Sequence, residues 1–309
     1  MQSAVVGVGM AQETETRAQI QIAGVELEGT SAFQTARGGR SFPSLGDGTL
    51  DTSGCPAIVQ CDWGSVGFER TTQMPPRQSP DSVLTQLSRN LWVYEEPLRF
   101  LGTRINRIMA VIRLADGRLF IQSPAKLTAE VTTALAELGD VKFVAPTSKL
   151  HGHLYMEQYR AAYPDVELLA APGLPARRPD LRFDGLLGST PDPRWSTDID
   201  QTALMGNWWI TELAFYHRPS KTVILGDMGY HITENSSIEM RLLGRLGGIY
   251  KRIGQPLEYK LTIRNEDTLR QSVRTVLAWD FDRVIPGHGD IIESGGNAAV
   301  QDGFRWLLE

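Results

Sequence analysis

The sequence predicts an α/β fold in which helices cover β-sheets, preceded by a segment without stable structure. Two observations lead to this prediction. Beyond residue 90 the pattern passes from strands to a helix–strand alternation and back to strands, a succession typical of sheets covered by helices. The first 90 residues contain no His, Lys or Tyr, whereas all 5 His and all 8 Tyr come later, and such a shift marks two unlike segments.

The N-terminal segment is rich in Gly, Ser, Thr and Gln and is interrupted by Gly and Pro throughout. This composition buries too little apolar surface to offset the entropy of ordering the backbone. We therefore expect residues 1–85 to be largely disordered or a non-native extension, with Met74 as an alternative natural start, and residues 86–309 to form the folded domain. The two cysteines, Cys55 and Cys61, are too few for a disulfide framework or a zinc ribbon.

Apolar runs bounded by turn residues predict the strands of the domain. In chain order they cover residues 91–94, 108–114, 118–122, 141–145, 166–170, 208–216, 222–225 and 283–285. Asp116-Gly117 predicts the turn of a hairpin between the second and third of these strands. A Pro-rich linker is expected over residues 172–193.

Apolar residues at helical spacing predict five helices, over residues 128–138, 154–162, 238–249, 266–279 and 297–308. Thr128 is the expected N-cap of the first helix, and Gly139 is expected to end it. The basic side chains of residues 241–252 favour a solvated helix face, with the rim of an anionic substrate site as the alternative.

Charge and hydropathy exclude several classes of function. The formal net charge of -5 provides no basic field for nucleic acid, and no apolar run approaches the roughly 18 residues that a membrane span needs. No signal-peptide pattern is recognised, so we expect a cytoplasmic protein without nucleic-acid or membrane partners that binds a small-molecule substrate. Neither a nucleophile elbow nor a Gly-rich phosphate or dinucleotide loop occurs.

Polar side chains that can ligate a metal follow three predicted strands. His151 and His153 come after the strand at residues 141–145, Asp227 follows residues 222–225, and His288 follows residues 283–285. Zinc accepts imidazole and carboxylate ligands at about 2.0–2.2 Å and lowers the pKa of bound water to about 7. We therefore expect a site for zinc or another divalent metal. Glu212, in the strand before Asp227, is expected to act as a further ligand or a general base if it lies nearby.

The order and surroundings of these residues resemble the metallo-β-lactamase superfamily, and more narrowly a branch known as a domain of unknown function. The resemblance covers residues 91–308. The segments that carry it are residues 119–124, 144–154, 161–164, 212–222 and 277–289. It implies a four-layer αβ/βα sandwich of two mixed sheets with metal ligands on loops at one edge.

Position by position, the resemblance assigns Asp227 to the bridging carboxylate of the superfamily and His288 to its last histidine. The central His-x-His-x-Asp-His run of the family is not matched, because Tyr155 and Met156 follow His151 and His153 where Asp and His are expected. The match therefore implies at most a mononuclear site.

Two functions from different classes remain open. The first is a metal-dependent hydrolase of a small ester-, thioester- or phosphoester-like substrate, in which a metal-bound hydroxide attacks and Asp227, His288 and Glu212 are the catalytic candidates. The second is a metal-free, catalytically inactive domain of the same fold that binds or scaffolds. Loss of the family's other ligands favours the second, whereas retention of Asp227 and His288 favours the first.

Overall fold

The computed structural model describes residues 83–100 and 103–309 of the chain. The prediction of a disordered or non-native segment over residues 1–85 lies almost entirely outside these residues, as do both cysteines. No helix in the described ranges is both long and apolar enough to cross a bilayer.

Seven strands form the first sheet, in which spatial order follows chain order. They are β1 (Thr85–Ser88), β2 (Leu91–Phe100), β3 (Thr103–Arg113), β4 (Leu119–Gln122), β5 (Val141–Ala145), β6 (Glu167–Ala170) and β7 (Gly185–Leu186). Strands β1 to β4 pair antiparallel, and β4 to β7 pair parallel. The sheet is therefore mixed. Because β4 and β5 are parallel, their carboxyl-terminal ends lie at the same end of the sheet.

The remaining strands form two smaller sheets. They are β8 (Ile199–Leu204), β9 (Glu212–His217), β10 (Thr222–Ile224), β11 (Tyr230–His231), β12 (Ile253–Gly254), β13 (Arg283–Ile285) and β14 (His288–Gly289). The second sheet has the order β13-β10-β9-β8, in which only β10 and β13 pair parallel, and the third has the order β12-β11-β14.

The helices lie between these strands along the chain. They are α1 (Ala129–Leu138), α2 (Met156–Ala162), α3 (Leu174–Arg177), α4 (Ile238–Leu246), α5 (Leu257–Leu261), α6 (Glu266–Leu277), α7 (Gly296–Gly303) and α8 (Arg305–Leu308). Thr128 caps α1 by accepting from the Val131 amide, and Gly139 ends it, as predicted.

The main core lies between the first and second sheets. Alternation along β3 sends Ile108, Ala110 and Ile112 into this core, because successive side chains of a strand point to opposite faces. Phe120 of β4 and Phe215 of β9 join the two sheets across it, with ring centroids 5.7 Å apart. This shared core makes the two sheets one sandwich.

Two outer cores attach the helices. On the far face of the first sheet, Met109 and Val111 of β3 pack with side chains of α1 and α2. On the far face of the second sheet, α6, α7 and α8 cover Val223 and Val284. The result is the predicted four-layer αβ/βα sandwich.

The predicted elements differ from the structure mainly in the second half of the chain. The strand expected over residues 208–216 is wrong in its first part, because β9 begins only at Glu212. The Asn207 side chain accepts from the amides of Trp209 and Ile210, which turns the backbone there. The last helix is interrupted near Phe304 into α7 and α8, and β8 was not predicted.

Candidate metal centre

Three side chains from distant parts of the chain meet at one edge of the sandwich. His151 lies in the loop after β5, Asp227 follows β10, and His288 begins β14. One ligand-type atom from each lies within 4.8 Å of the other two. Among the described residues this is the group of histidine and carboxylate side chains that could hold a metal ion.

His151 is held by two hydroxyl groups. Its Nδ1 lies 3.1 Å from Ser123 Oγ and 3.0 Å from Thr147 Oγ1, while its Nε2 is buried without a hydrogen-bond partner. Burial lowers the pKa of His151 to about 4, although the charge of Asp227 opposes this shift. At neutral pH the ring is therefore uncharged, the form in which imidazole ligates a metal.

His288 is oriented by β3. Its Nδ1 lies 2.6 Å from the Asn106 carbonyl oxygen, so Nδ1 carries a proton and donates a hydrogen bond to that oxygen. The Asn106 side chain also accepts from the Gly289 amide at 2.6 Å and donates to the Gly289 carbonyl at 2.9 Å. These three bonds fix both the ring and the strand that carries it, the role that supporting groups play around metal-ligating histidines.

Asp227 faces His288 at hydrogen-bond distance, with 3.2 Å between Asp227 Oδ1 and His288 Nε2. Burial opposes ionisation of Asp227, but His151 and His288 outweigh it and lower the pKa of this carboxyl. The Tyr230 hydroxyl lies 3.5 Å from the same Oδ1. Asp227 is therefore an ionised carboxylate at neutral pH.

The contacts of His288 and Asp227 show that the group suits a cation. When His288 is neutral and Nδ1 carries its proton, Nε2 presents a lone pair to the Asp227 carboxylate. Two acceptors at this distance repel each other unless a proton or a metal ion lies between them. Together with the unpartnered His151 Nε2, this donor set fits a divalent metal that takes nitrogen and oxygen ligands.

Glu212, at the start of β9, lies beside this group but outside it. It is fully buried, and its polar neighbours are the backbone of Asp227 and Met228 and the Thr147 hydroxyl. Burial, with the charge of Asp227 acting in the same direction, raises the pKa of Glu212 well above its ordinary value. The surroundings therefore drive the pKa values of these two neighbouring carboxyls apart, upward for Glu212 and downward for Asp227.

Close backbone packing brings the three loops together. A Cβ on Gly226 would clash with the Glu212 carboxyl and the Thr147 hydroxyl, and a Cβ on Gly287 would clash with the Gly226 backbone. The Leu213 amide donates to the Thr147 carbonyl at 2.7 Å, which ties β9 to the loop of His151. The two glycines allow the strand ends to approach closely enough for their side chains to meet.

His153 is buried but does not join the group. Its Nδ1 has no hydrogen-bond partner, and burial followed by the charges of Arg177 and Arg178 lowers its pKa to about 4. Two guanidinium groups also oppose binding of a cation at this ring. Of the two histidines that the sequence left open as ligands, the structure brings His151 to Asp227 and His288.

Ser123, Thr147, Asn106 and Tyr230 support the site and were not identified from the sequence as site residues. Ser123 has a left-handed backbone with φ 52°, and its hydroxyl contacts His151. Tyr230 pairs with His288 across β11 and β14, with ring centroids 4.7 Å apart. Asn106 lies within a long strand whose pattern carries no signal for a distant loop.

Comparison with known proteins identifies similar families and folds. A family model described as Domain of unknown function (DUF4336) matches residues 88–243, just over half of the chain. Among curated proteins, no sequence matches the chain.

Solved structures with this fold include two metallo-β-lactamases. The crystal structure from Hirschia baltica is 13% identical with a TM-score of 0.50, and the match covers 73% of this chain and 96% of that chain. The one from Erythrobacter litoralis is 13% identical with a TM-score of 0.50, over 72% and 91%. A metal-soaked flavodiiron core from Synechocystis sp. PCC6803 is 9% identical with a TM-score of 0.52, over 72% and 60%. At these identities the likeness shows the fold alone.

Proposed function

Because this chain belongs to the family described as Domain of unknown function (DUF4336) and has the metallo-β-lactamase fold, we propose that it is a metal-dependent hydrolase. The substrate is a small ester-, thioester- or phosphoester-like molecule. His151, Asp227 and His288 hold one divalent metal, zinc or another ion. The observation that supports this proposal most strongly is the convergence of their ligand atoms within 4.8 Å of one another.

The protonation states of the group suit this role. At neutral pH His151 is an uncharged ring whose Nε2 has no hydrogen-bond partner, and Asp227 is a carboxylate, so these two side chains present the ligand types that a cation takes. When bound, a divalent metal supplies Lewis-acid chemistry, because it polarises a carbonyl or phosphoryl oxygen and lowers the pKa of water to about 7.

Glu212 and Asp227 have different tasks in this proposal. Burial beside the negative charge of Asp227 raises the pKa of Glu212 well above its ordinary value and so favours its protonated form. Neighbouring carboxyls whose pKa values are driven apart are the arrangement that general acid–base chemistry uses. Glu212 also packs against Gly226 and so supports the backbone that carries Asp227.

A metal-free binding domain is the second candidate function. The direct contact of His288 Nε2 and Asp227 Oδ1 at 3.2 Å favours it, because a protonated His288 would form an ion pair with Asp227 and no metal would be needed to hold the two side chains together. The two candidates therefore differ in what lies between these atoms, a metal ion or a proton.

Metal content distinguishes the two candidates. The full-length protein is purified without chelator, incubated with Zn²⁺, Mn²⁺ or Fe²⁺, desalted and measured by elemental analysis. We expect one metal per chain in the wild type and a loss of about tenfold or more in affinity for His288→Ala, because one of three ligands is gone. Hydrolysis of an activated ester, a thioester and a phosphodiester is measured on the same samples.

His231→Ala is the matched control. His231 is a half-buried histidine on β11, next to the strand of His288, but its Nδ1 contacts the Asp290 carbonyl at 2.7 Å and it lies outside the group. Its replacement should leave the metal content unchanged. A wild-type protein without metal under all three conditions, or equal metal in wild type and His288→Ala, would rule out the metal-dependent hydrolase and favour the binding domain.

A further inference from the structure

Helix α4 carries an apolar outer face that nothing in the described chain covers. Ile238, Leu242 and Leu246 recur at every fourth position and so lie along one side of the helix, which Leu243 and the exposed Glu239 share. The four apolar side chains are 53% to 78% exposed. We call these four residues the α4 face.

The opposite side of α4 attaches the helix to the domain. Met240 and Gly244 are its buried residues, and Met240 packs in a small core with Ile232 and Ile249. Ser237 caps the helix and donates to the Arg104 carbonyl at 2.9 Å. The four apolar side chains are therefore not needed to hold the helix in place, and their exposure requires another explanation.

Arginines without carboxylate partners lie along one margin of the α4 face. Arg241 donates to the Glu234 carbonyl, and Arg245 donates to the Arg241 carbonyl and stacks over the Tyr250 ring at 3.9 Å. Neither forms an ion pair within residues 83–100 and 103–309. At 100° per residue, both arginines fall on the side of the helix between the apolar face and the buried face.

This region is basic in an acidic protein. Residues 238–252 contain four basic side chains and one acidic side chain, whereas the whole chain carries a net charge of -5. Lys251 pairs with Glu234 and Arg252 pairs with Asp302, so Arg241 and Arg245 are the unpaired cations of this stretch. Hydrogen bonds from its own backbone amide and from Ser237 lower the pKa of Glu239 on this helix, and the charges of Arg104 and Arg99 add to the effect. Arg99 and Arg104 therefore lie close to α4. A field of this sign attracts an anionic partner.

We propose that the α4 face binds the surface of an anionic lipid bilayer, with helix α4 lying in the plane of the interface. Helices of this kind combine an apolar face that enters the acyl boundary with Arg or Lys at its margins. A soft lipid phase also suits side chains that protrude as far as Leu246, which is 78% exposed. The sequence-based expectation of no membrane partner rested on the lack of a spanning segment, and a helix lying at the surface needs none.

Sedimentation with vesicles tests this proposal. Full-length protein is mixed with vesicles of phosphatidylcholine alone or of phosphatidylcholine with phosphatidylglycerol, at low and at high salt. We expect binding to the anionic vesicles that weakens with salt. Leu242→Glu and Leu246→Glu should each weaken vesicle binding about tenfold or more. Each replaces an aliphatic side chain that would enter the bilayer with a charged one. Arg241→Gln with Arg245→Gln should reduce the preference for anionic lipid.

Leu186→Glu provides the matched control, since Leu186 on β7 is also exposed, at 71%, but lies outside the α4 face. It should bind vesicles like the wild type, and circular dichroism should show all variants folded. Failure of the wild type to sediment with anionic vesicles, or equal loss in Leu186→Glu, overturns the proposal. A dimer that the α4 substitutions dissociate while vesicle binding persists would also overturn it and assign the face to a second copy of the chain.

Discussion

Gly226, which has no side chain, allows Glu212 and Thr147 to pack directly against the backbone that precedes Asp227. Thr147 in turn contacts the His151 ring, so this one position lies between two of the three candidate ligands. The distance between these ligands therefore depends on how closely β9, β10 and the loop after β5 pack at Gly226.

Gly226→Ala should therefore affect both stability and metal binding. The new Cβ would overlap the Glu212 carboxyl and Thr147 hydroxyl, and overpacking of this kind typically costs about 1–3 kcal/mol in the free energy of unfolding. Urea unfolding and metal content measure the two effects. Gly188→Ala is the control, since its Cβ would meet no atom within 4 Å. Equal stability of the two variants would contradict the proposed packing.

The individual site residues were only partly predictable. Strand ends identified Asp227 and His288 because polar residues there follow apolar runs, but the choice between His151 and His153 depends on where a loop turns. Gly152, with φ 85°, makes that turn, and a Cβ on it would contact Ser123 Oγ at 2.6 Å. Asn106 escaped notice because its partners lie 182 and 183 residues away.

Among the elements, those bounded by strong breakers were predicted with the correct ends. Strands β5 and β13 match their predicted bounds. Strand β2 extends further than expected, through Pro97. Strand β1 pairs only with the first residues of β2, so the stretch around Pro97 lies at the edge of the sheet, where proline is tolerated. Local side-chain bonds such as those of Asn207 compete with strand patterns, and apolar periodicity does not report them.

Helix α1 offers a test at this level. Thr128→Ala removes the oxygen that accepts from the Val131 amide and should lower the free energy of unfolding by about 1 kcal/mol. Thr133→Ala, on the exposed side of the same helix, should be neutral or slightly stabilising because alanine has the higher helix propensity. Chemical denaturation compares the two variants, and a larger loss for Thr133→Ala would show that Thr128 does not cap the helix.

Across the whole molecule, the four layers were implied by the family resemblance, whereas composition and periodicity alone indicated only sheets covered by helices. Periodicity cannot decide which sheet a strand joins, because Phe120 and Phe215 meet across the sandwich although 95 residues separate them along the chain. The same architecture buries several histidines, and this burial makes the stability of the whole domain depend on pH.

His217 provides a measurable part of that dependence. Burial lowers its pKa to about 4 from 6.5, so the unfolded chain takes up a proton first as the pH falls. The stabilising effect is complete above pH 6.5 and is lost as the pH falls from there towards 4. At about 1.4 kcal/mol per pH unit, the loss from this residue between pH 7 and 5 is about 2 kcal/mol.

Replacing His217 with asparagine should remove this contribution. Urea unfolding of metal-free protein at several pH values should give a shallower decline for His217→Asn than for the wild type below pH 6.5. Parallel curves for wild type and His217→Asn would show that the ring is not kept neutral by burial.

Asn106 holds both His288 and Gly289 from a strand near the beginning of the described residues. His288 lies 182 residues further along the chain, so it reaches this place only after nearly the whole domain has been synthesised. The group of His151, Asp227 and His288 can therefore assemble only as one of the last events of folding, when the two ends of the domain meet.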